Sequence, residues 1–470
     1  MTLVGRSGSI LLGVASVALL YGIARRLFSP RVALVAAAAM ATNLHHAERC
    51  VLAGNESTMV LLVLVFFLAV LCYVEAPSWR WHAAAGLLLG LATSTKYNAG
   101  IQLVTLVAAT LLVLVRESRA EERRRPVHRR ALQPRFLAGF AAGALAFVAA
   151  SPWVVVDFGE FLNGFTHQAS YMEAGLTESG AAGSLRGWAF YTLRFGPRGN
   201  GQPYAVLCAL GALLALYRAV RHRESRALLL LTAALPLYLF LSAGETNNMR
   251  FLLPATPFVL LLGAWALDAG GGALLRRFPR GERLQDLLLP ALAVLLLAPQ
   301  AVESYQRIWR GYGKTSEERE LLLWIRENLD PAEEYLELTS YGAKLLDGRA
   351  AIEAYGIREE DLETEAERAR FRRHEAAAIG SRHLTELLAA SPTFDDLLRR
   401  IRKGGYRHLL LSVTVKQLLQ LKDLPARVHL EEIRSCTYWE ELVQFLTTLE
   451  RTTPVVGSEY GRVLCLFTLP

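Results

Sequence analysis

The sequence predicts a polytopic α-helical membrane protein with a C-terminal α/β domain. Three observations support this. The 470 residues are 53% hydrophobic and only 20% charged. Unbroken apolar runs, such as residues 59–73, 101–115 and 228–242, have the length and composition of membrane spans. Beyond residue 300 the chain becomes richly charged. This composition excludes an ordinary cytosolic enzyme and a disordered scaffold.

The apolar segments, about ten in number, all fall within residues 1–300, which we predict to form the transmembrane domain. The fourth segment is short and ends in the polar string 94–98, so residues 82–115 are expected to form a hairpin or a tilted pair. The predicted segments are 7–24, 32–47, 57–74, 82–95, 99–115, 136–156, 203–217, 227–243, 251–268 and 286–300.

Arginines set the predicted orientation. Alternate connections carry twenty basic residues on one side of the membrane, against seven on the other. The positive-inside rule makes the Arg-rich side cytoplasmic. The net charge of +8 is therefore a topology signal, with anionic lipid headgroups as partner and no need for nucleic acid. By parity, the N-terminus and residues 301–470 lie outside the cytoplasm.

Residues 301–470 are predicted to be a soluble extracytoplasmic α/β domain. Residues 315–328 begin with a capping-box pattern and show helical spacing, and residues 359–378 have the composition of a charged helix. Residues 406–412 and 462–468 are predicted to be buried strands.

Polar groups cluster at the predicted outer ends of the spans. The connection 43–58 holds two imidazoles and two carboxylates, which can supply a general base or ligands for a divalent metal ion. A solvated loop with snorkelling side chains is the alternative. The candidate residues of this connection are His45, His46, Glu48, Asn55 and Glu56.

Two basic residues stand at the same predicted surface. Lys96, followed by Tyr97, is flanked by apolar helix, where a cation is costly without an anionic partner. Arg250, close to Asn248, begins a span and can clamp a phosphate with two hydrogen bonds. A snorkelling lysine and an ordinary interface anchor are the alternatives. The aromatic loop 157–202 is expected to form interfacial helices that gate the site or only pack beside it.

Four stretches, in this order, resemble one family. The first two stretches are ARRLFSPRVALVAAAAMATNLHHAERCVLAGNES (residues 24–57) and AAAGLLLGLATSTKYNAGI (residues 83–101). SPWVVVDFGEFLNGF (151–165) and MRFLLPATPFVLLLGAWAL (249–267) follow. Together they resemble the lipid-dependent glycosyltransferases of the GT-C fold, family 39, which include protein mannosyltransferase-like and aminoarabinose-transferase-like enzymes.

The resemblance implies transfer of a hexose or pentose, with inversion, from a polyprenyl-phosphate donor to a hydroxyl of a lipid, glycan or protein. It implies an outer-face site in the inner membrane of a bacterium. Glu56 matches the second acidic position of the family and, with Glu48, is a candidate catalytic carboxylate. Lys96 and Arg250 would hold the donor phosphate. His45, His46, Asn55, Tyr97 and Asn248 would contact substrate. No cofactor is implied with certainty, and a divalent metal ion stays open.

The family's first helix and first outer loop, which carry its catalytic Asp, have no counterpart in this chain. This agrees with the parity argument. A start codon upstream, a fragment and a non-catalytic relative that binds lipid-linked sugar are the alternatives. A transporter of lipid-linked substrates is less favoured, because the polar groups cluster at one surface and no internal duplication is visible.

Overall fold

The structure is a computed structural model that describes most of residues 2–313 and short parts of the remainder. The described residues are 2–52, 54–120, 133–173, 191–192, 195, 199–243, 249–275, 281–313, 335–338, 381–383, 387, 390–404, 408–411, 441–442, 444–445, 448 and 465–468. The chain divides into two compact units. The first comprises Met1–Gln168 and Leu185–Arg310, and the second Ala169–Ser184 and Gly311–Pro470.

Helices account for nearly all of the described residues up to 313. Two 3₁₀ helices, Tyr97–Gln102 and Met249–Leu252, each lead into a longer α-helix. The α-helices are α1 (Thr2–Leu27), α2 (Pro30–Thr42), α3 (Leu44–Cys50), α4 (Glu56–Glu75), α5 (Trp79–Thr95), α6 (Leu103–Ala120), α7 (Pro134–Ala150), α8 (Trp153–Val156), α9 (Phe158–Glu173), α10 (Gln202–Arg221), α11 (Ser225–Ala243), α12 (Thr256–Leu275) and α13 (Gly281–Gly313).

The helices confirm a multi-pass membrane protein. Among the described residues, seven helices are long and apolar enough to cross a bilayer. Each of the ten predicted segments overlaps a described helix, but some of these helices are shorter, so ten crossings stay a prediction. The seven are Val4–Leu27, Glu56–Glu75, Tyr97–Ser118, Gln202–Arg221, Ser225–Ala243, Thr256–Leu275 and Leu288–Gln306.

Helices α5 and α7 pack with their backbones in direct contact. Each carries two glycines four residues apart, Gly86 and Gly90 on α5 and Gly139 and Gly143 on α7. A Cβ on Gly86 would lie 1.7 Å from the Gly139 carbonyl oxygen, and one on Gly90 would lie 2.2 Å from that of Gly143. Small residues at this spacing let helices approach closely in a membrane, where dispersion contacts drive their association.

The fully buried His82 of α5 connects four helices. Its Nδ1 accepts a hydrogen bond from the Gly139 N–H (3.0 Å), and its Nε2 is 3.0 Å from the Thr110 hydroxyl of α6. The ring also stacks on Tyr73 of α4 with 4.7 Å between ring centroids. Because Nδ1 accepts, Nε2 carries the proton and donates to Thr110, so both ring nitrogens are satisfied in the interior.

Arginines tie helix ends together at one end of the first unit. Arg116 of α6 donates to the Val74 carbonyl near the end of α4 (3.1 Å), and Arg226 of α11 donates to the Leu27 carbonyl that ends α1 (2.8 Å). Arginine suits these positions, since helix C-termini present unpaired carbonyls and a partial negative charge. We call this the Arg-rich end. The start of α4 and the end of α5 lie at the other end of these two helices, away from the Arg-rich end.

The second unit contains a four-stranded sheet in the order β2-β1-β3-β4. β1 is parallel to β2 and β3, whereas β3 is antiparallel to β4. The strands are β1 (Tyr335–Leu338), β2 (Ser381–His383), β3 (His408–Leu411) and β4 (Cys465–Thr468).

One helix of this unit is described, α14 (Phe394–Lys403), which buries Leu397 and Ile401. β3 and β4 fall within the predicted strands 406–412 and 462–468. The predicted helices 315–328 and 359–378 lie outside the described residues. The extracytoplasmic location of the domain stays a prediction.

Candidate functional site

An ion pair joins the start of α4 to the end of α5. The Lys96 ammonium donates to Glu56 Oε1 at 2.9 Å, and only 19% and 12% of the two side chains are exposed. The two residues are 40 positions apart in the chain. The structure therefore brings together two of the predicted site residues in a half-buried position.

The local backbone explains why the pair forms. Asn55, just before α4, donates its amide to the Thr95 carbonyl that ends α5 (2.8 Å). This bond satisfies an orphan carbonyl of α5 and fastens the two helix ends together. Glu56 stands in the first turn of α4, where the helix dipole favours a carboxylate. A Cβ on Gly54 would lie 2.6 Å from Glu56 Oε2, so a larger residue at position 54 would require the carboxylate to shift.

Two cations lie over the ring of Phe251, which is 8% exposed. The Lys96 Nζ is 5.7 Å from the ring centroid and the Arg250 Cζ is 5.3 Å from it. Aromatic faces attract cations at such distances. Phe251 and Arg250 belong to the 3₁₀ helix that precedes α12, so a third segment joins the ion pair.

Two further basic residues, Arg49 and Arg250, interact electrostatically with the pair. Burial lowers the pKa of Lys96; its hydrogen bond and charge interaction with Glu56 oppose that shift, and repulsion from Arg250 and Arg49 adds to it. Arg49 is the last basic residue of α3 and also interacts electrostatically with Glu56. Such a site favours an anion, because Arg49 and Arg250 add positive potential at the Glu56–Lys96 pair.

The histidines of α3 are buried in the protein interior. His45 and His46 are 4% and 5% exposed. The His46 Nε2 is 3.5 Å from the Cys50 Sγ, and burial lowers the pKa of His46 to about 4. Burial also raises the pKa of the Cys50 thiol. Both groups are therefore neutral near pH 7, and their predicted contact with substrate stays a prediction.

The three remaining predicted residues are Glu48, Tyr97 and Asn248. Glu48 is half-buried on α3. Tyr97 is 48% exposed, and its ring contacts Phe147 of α7 and Phe161 of α9 with centroid distances of 6.2 and 6.0 Å. Asn248 lies outside the described residues.

Two residues at the site were not singled out from the sequence. Phe251 accepts both cations on its ring, and Asn98 donates to the Phe251 carbonyl at 2.8 Å. A phenylalanine in an apolar stretch has no distinguishing signal. For Asn98, the signal was its place two residues after Lys96 in a polar string between apolar segments.

No group of three His, Cys, Asp or Glu side chains in the described part of the chain is arranged to hold a metal ion.

Comparison with known proteins supports the fold. The family profile described as dolichyl-phosphate-mannose-protein mannosyltransferase matches residues 2–155, which include Glu56 and Lys96. ArnT from Cupriavidus metallidurans, solved in the apo state and bound to undecaprenyl phosphate, is similar with a TM-score of 0.50 and 15% identity. The similarity covers 98% of this chain and 83% of ArnT.

A second similar structure is the archaeal oligosaccharyltransferase AglB from Archaeoglobus fulgidus, in complex with an inhibitory peptide and a dolichol-phosphate. Its TM-score is 0.47 at 12% identity, over 88% of this chain. This chain spans 59% of the length of AglB. No curated protein sequence matches the chain. The helical architecture and the likeness to ArnT show that this chain is a multi-pass membrane protein with a GT-C-like fold, and its residues 2–155 match the mannosyltransferase family profile.

Proposed function

We propose that this protein is a membrane glycosyltransferase that moves a sugar from a polyprenyl-phosphate donor to a hydroxyl acceptor. The observation that carries the proposal is the cationic cluster of Lys96 and Arg250 around Phe251, with Glu56 bonded to Lys96. The fold supports it, because the similar ArnT structure is bound to undecaprenyl phosphate.

The proposed chemistry uses few groups. The acceptor oxygen attacks the anomeric carbon of the donor sugar, and the bond between that carbon and the phosphate oxygen breaks. The phosphate leaves with the electron pair, and its new charge is stabilised by Lys96 and Arg250 in a poorly hydrated site. A carboxylate takes the acceptor proton, and Glu56 and Glu48 are the proposed bases.

The outer face of a bacterial inner membrane is the proposed location. The Arg-rich end gathers the basic connections that the positive-inside rule places in the cytoplasm. Glu56 begins α4 and Lys96 follows α5, both at the end opposite to the Arg-rich end. A lipid-linked donor in the outer leaflet would then present its phosphate at the level of the cluster.

The first test replaces each of the two basic residues by alanine. We expect Lys96→Ala and Arg250→Ala to raise the Kd for undecaprenyl phosphate in nanodiscs by about tenfold or more, since a hydrogen bond to a charged group contributes roughly 1.5–3 kcal/mol. Arg26→Ala is the matched control, because Arg26 also pairs with a carboxylate, Glu75, but at the Arg-rich end. Unchanged affinity in both site variants would refute the proposed phosphate site.

The ion pair supports a second candidate, a protein that binds lipid-linked sugar without transferring it. A carboxylate bonded to an ammonium is a weaker base than a solvated one. Turnover of a polyprenyl-phosphate sugar separates the two: a transferase releases polyprenyl phosphate and glycosylates an acceptor, whereas a binding protein does neither.

Glu56→Gln then tests the role of Glu56. If Glu56 is the base, kcat falls by about 10²- to 10⁴-fold while donor affinity changes little. If Glu56 only holds Lys96, donor affinity and turnover fall together.

A further inference from the structure

Lys96 and Arg250 reach the same aromatic ring from separate parts of the chain. Lys96 lies between α5 and the 3₁₀ helix Tyr97–Gln102, whereas Arg250 lies in the 3₁₀ helix Met249–Leu252. Their charged groups are 5.7 and 5.3 Å from the centroid of Phe251. They therefore lie no farther apart than the sum of these distances, and their charges interact electrostatically.

Two like charges at this separation repel each other, so the segments that carry them must be held together by other contacts. One such contact is the hydrogen bond from the Asn98 amide to the Phe251 carbonyl, at 2.8 Å. Asn98 is two residues from Lys96, and Phe251 is adjacent to Arg250. The bond therefore joins residues that lie within two positions of each cation.

Lys96 is fastened on its other side by a different asparagine. Asn55 donates to the carbonyl of Thr95, the residue before Lys96, and so supports the ion pair with Glu56. The two asparagines thus stabilise different contacts of Lys96. Asn55 supports its contact with Glu56, and Asn98 supports its position relative to Arg250.

We propose that Asn98 is a positioning residue: its hydrogen bond to the Phe251 carbonyl holds the second 3₁₀ helix in place, so that Arg250 and Lys96 act on one phosphate. This rests on the proposed function, because it assumes that the anion is the phosphate of a polyprenyl phosphate. Asn98 itself does not have to touch the substrate.

The test is a double-mutant cycle on binding of undecaprenyl phosphate, with the full-length protein in nanodiscs. Asn98→Leu removes the amide donor without adding charge. We expect it to raise the Kd about 3- to 10-fold, the range for one neutral hydrogen bond. In an Arg250→Ala background the same change has little further effect, because the group that Asn98 positions is gone.

Asn55→Leu is the matched control. It also removes an asparagine donor near Lys96, but it acts on the Glu56 side, so its effect on Kd persists in the Arg250→Ala background. Should Asn98→Leu fail to fold, Asn98→Ser replaces it, since a serine hydroxyl is too short to reach the Phe251 carbonyl.

A pH profile gives a readout that loss of stability alone would not move. Arg250 helps to lower the pKa of Lys96. If Asn98→Leu lets Arg250 move away, the pKa of Lys96 rises, and the loss of donor affinity at alkaline pH shifts to higher pH.

Three results would overturn the inference. They are an unchanged Kd in Asn98→Leu, a penalty of equal size with and without Arg250, and an alkaline limb that does not shift. Absence of undecaprenyl phosphate binding by the unaltered protein is a different failure, which would overturn the proposed function together with the inference.

Discussion

At the scale of single residues, His46 shows how burial fixes a charge state. Its pKa falls from 6.5 to about 4 because burial disfavours the imidazolium. The folded protein therefore binds this proton less readily than the unfolded chain does, and the free energy of unfolding falls as the pH drops below 6.5, until the loss is complete below about 4. We predict that His46→Gln flattens this part of the pH dependence, as measured by thermal unfolding in detergent.

His222→Gln is the matched control, because it makes the same change at an exposed histidine. A slope between pH 6.5 and 4 that is the same in His46→Gln and the unaltered protein would contradict the prediction.

At the scale of elements, the contact between α5 and α7 depends on glycine. A methyl group on Gly86 would meet the backbone of Gly139, which cannot rotate away. We predict that Gly86→Ala lowers the free energy of unfolding by about 1–3 kcal/mol, the usual cost of overpacking. In contrast, Gly22→Ala on α1 should cost nothing, since a Cβ there meets no atom within 4 Å. If the two variants have equal thermal stability, the close packing of α5 against α7 does not depend on Gly86, and the prediction is wrong.

At the scale of the whole molecule, the prediction concerns which end faces the cytoplasm. A cysteine at exposed Arg80, at the start of α5, should react with a membrane-impermeant maleimide only after lysis. A cysteine at exposed Asp395, at the start of α14, should react in cells whose inner membrane is intact. Both variants are made in a background without the five native cysteines. The opposite labelling pattern would invert the proposed orientation and move the site to the cytoplasm.

Much of the candidate site could be predicted from charge placement. Lys96 and Arg250 are predicted because they are basic residues beside apolar spans, and Glu56 because it lies in the polar connection 43–58 and matches an acidic position of the family it resembles. Their contacts could not be predicted, since Glu56 and Lys96 are 40 positions apart and Arg250 is much farther along the chain. The role of Asn98 was hidden for a similar reason: its partner is a backbone carbonyl, and every residue type supplies one.

By itself the sequence determined that this chain crosses a membrane several times, because many apolar runs are long enough to span the hydrocarbon core of a bilayer. It also determined that the two ends of the predicted spans differ chemically: the connections at one end are rich in arginine, and those at the other end carry mixed polar groups. Only the tertiary structure decided that Lys96 bonds to Glu56, that His46 is buried, and that Phe251 lies beside two cations. Hydropathy acts along each segment and can be read locally, whereas these contacts depend on how separate helices pack.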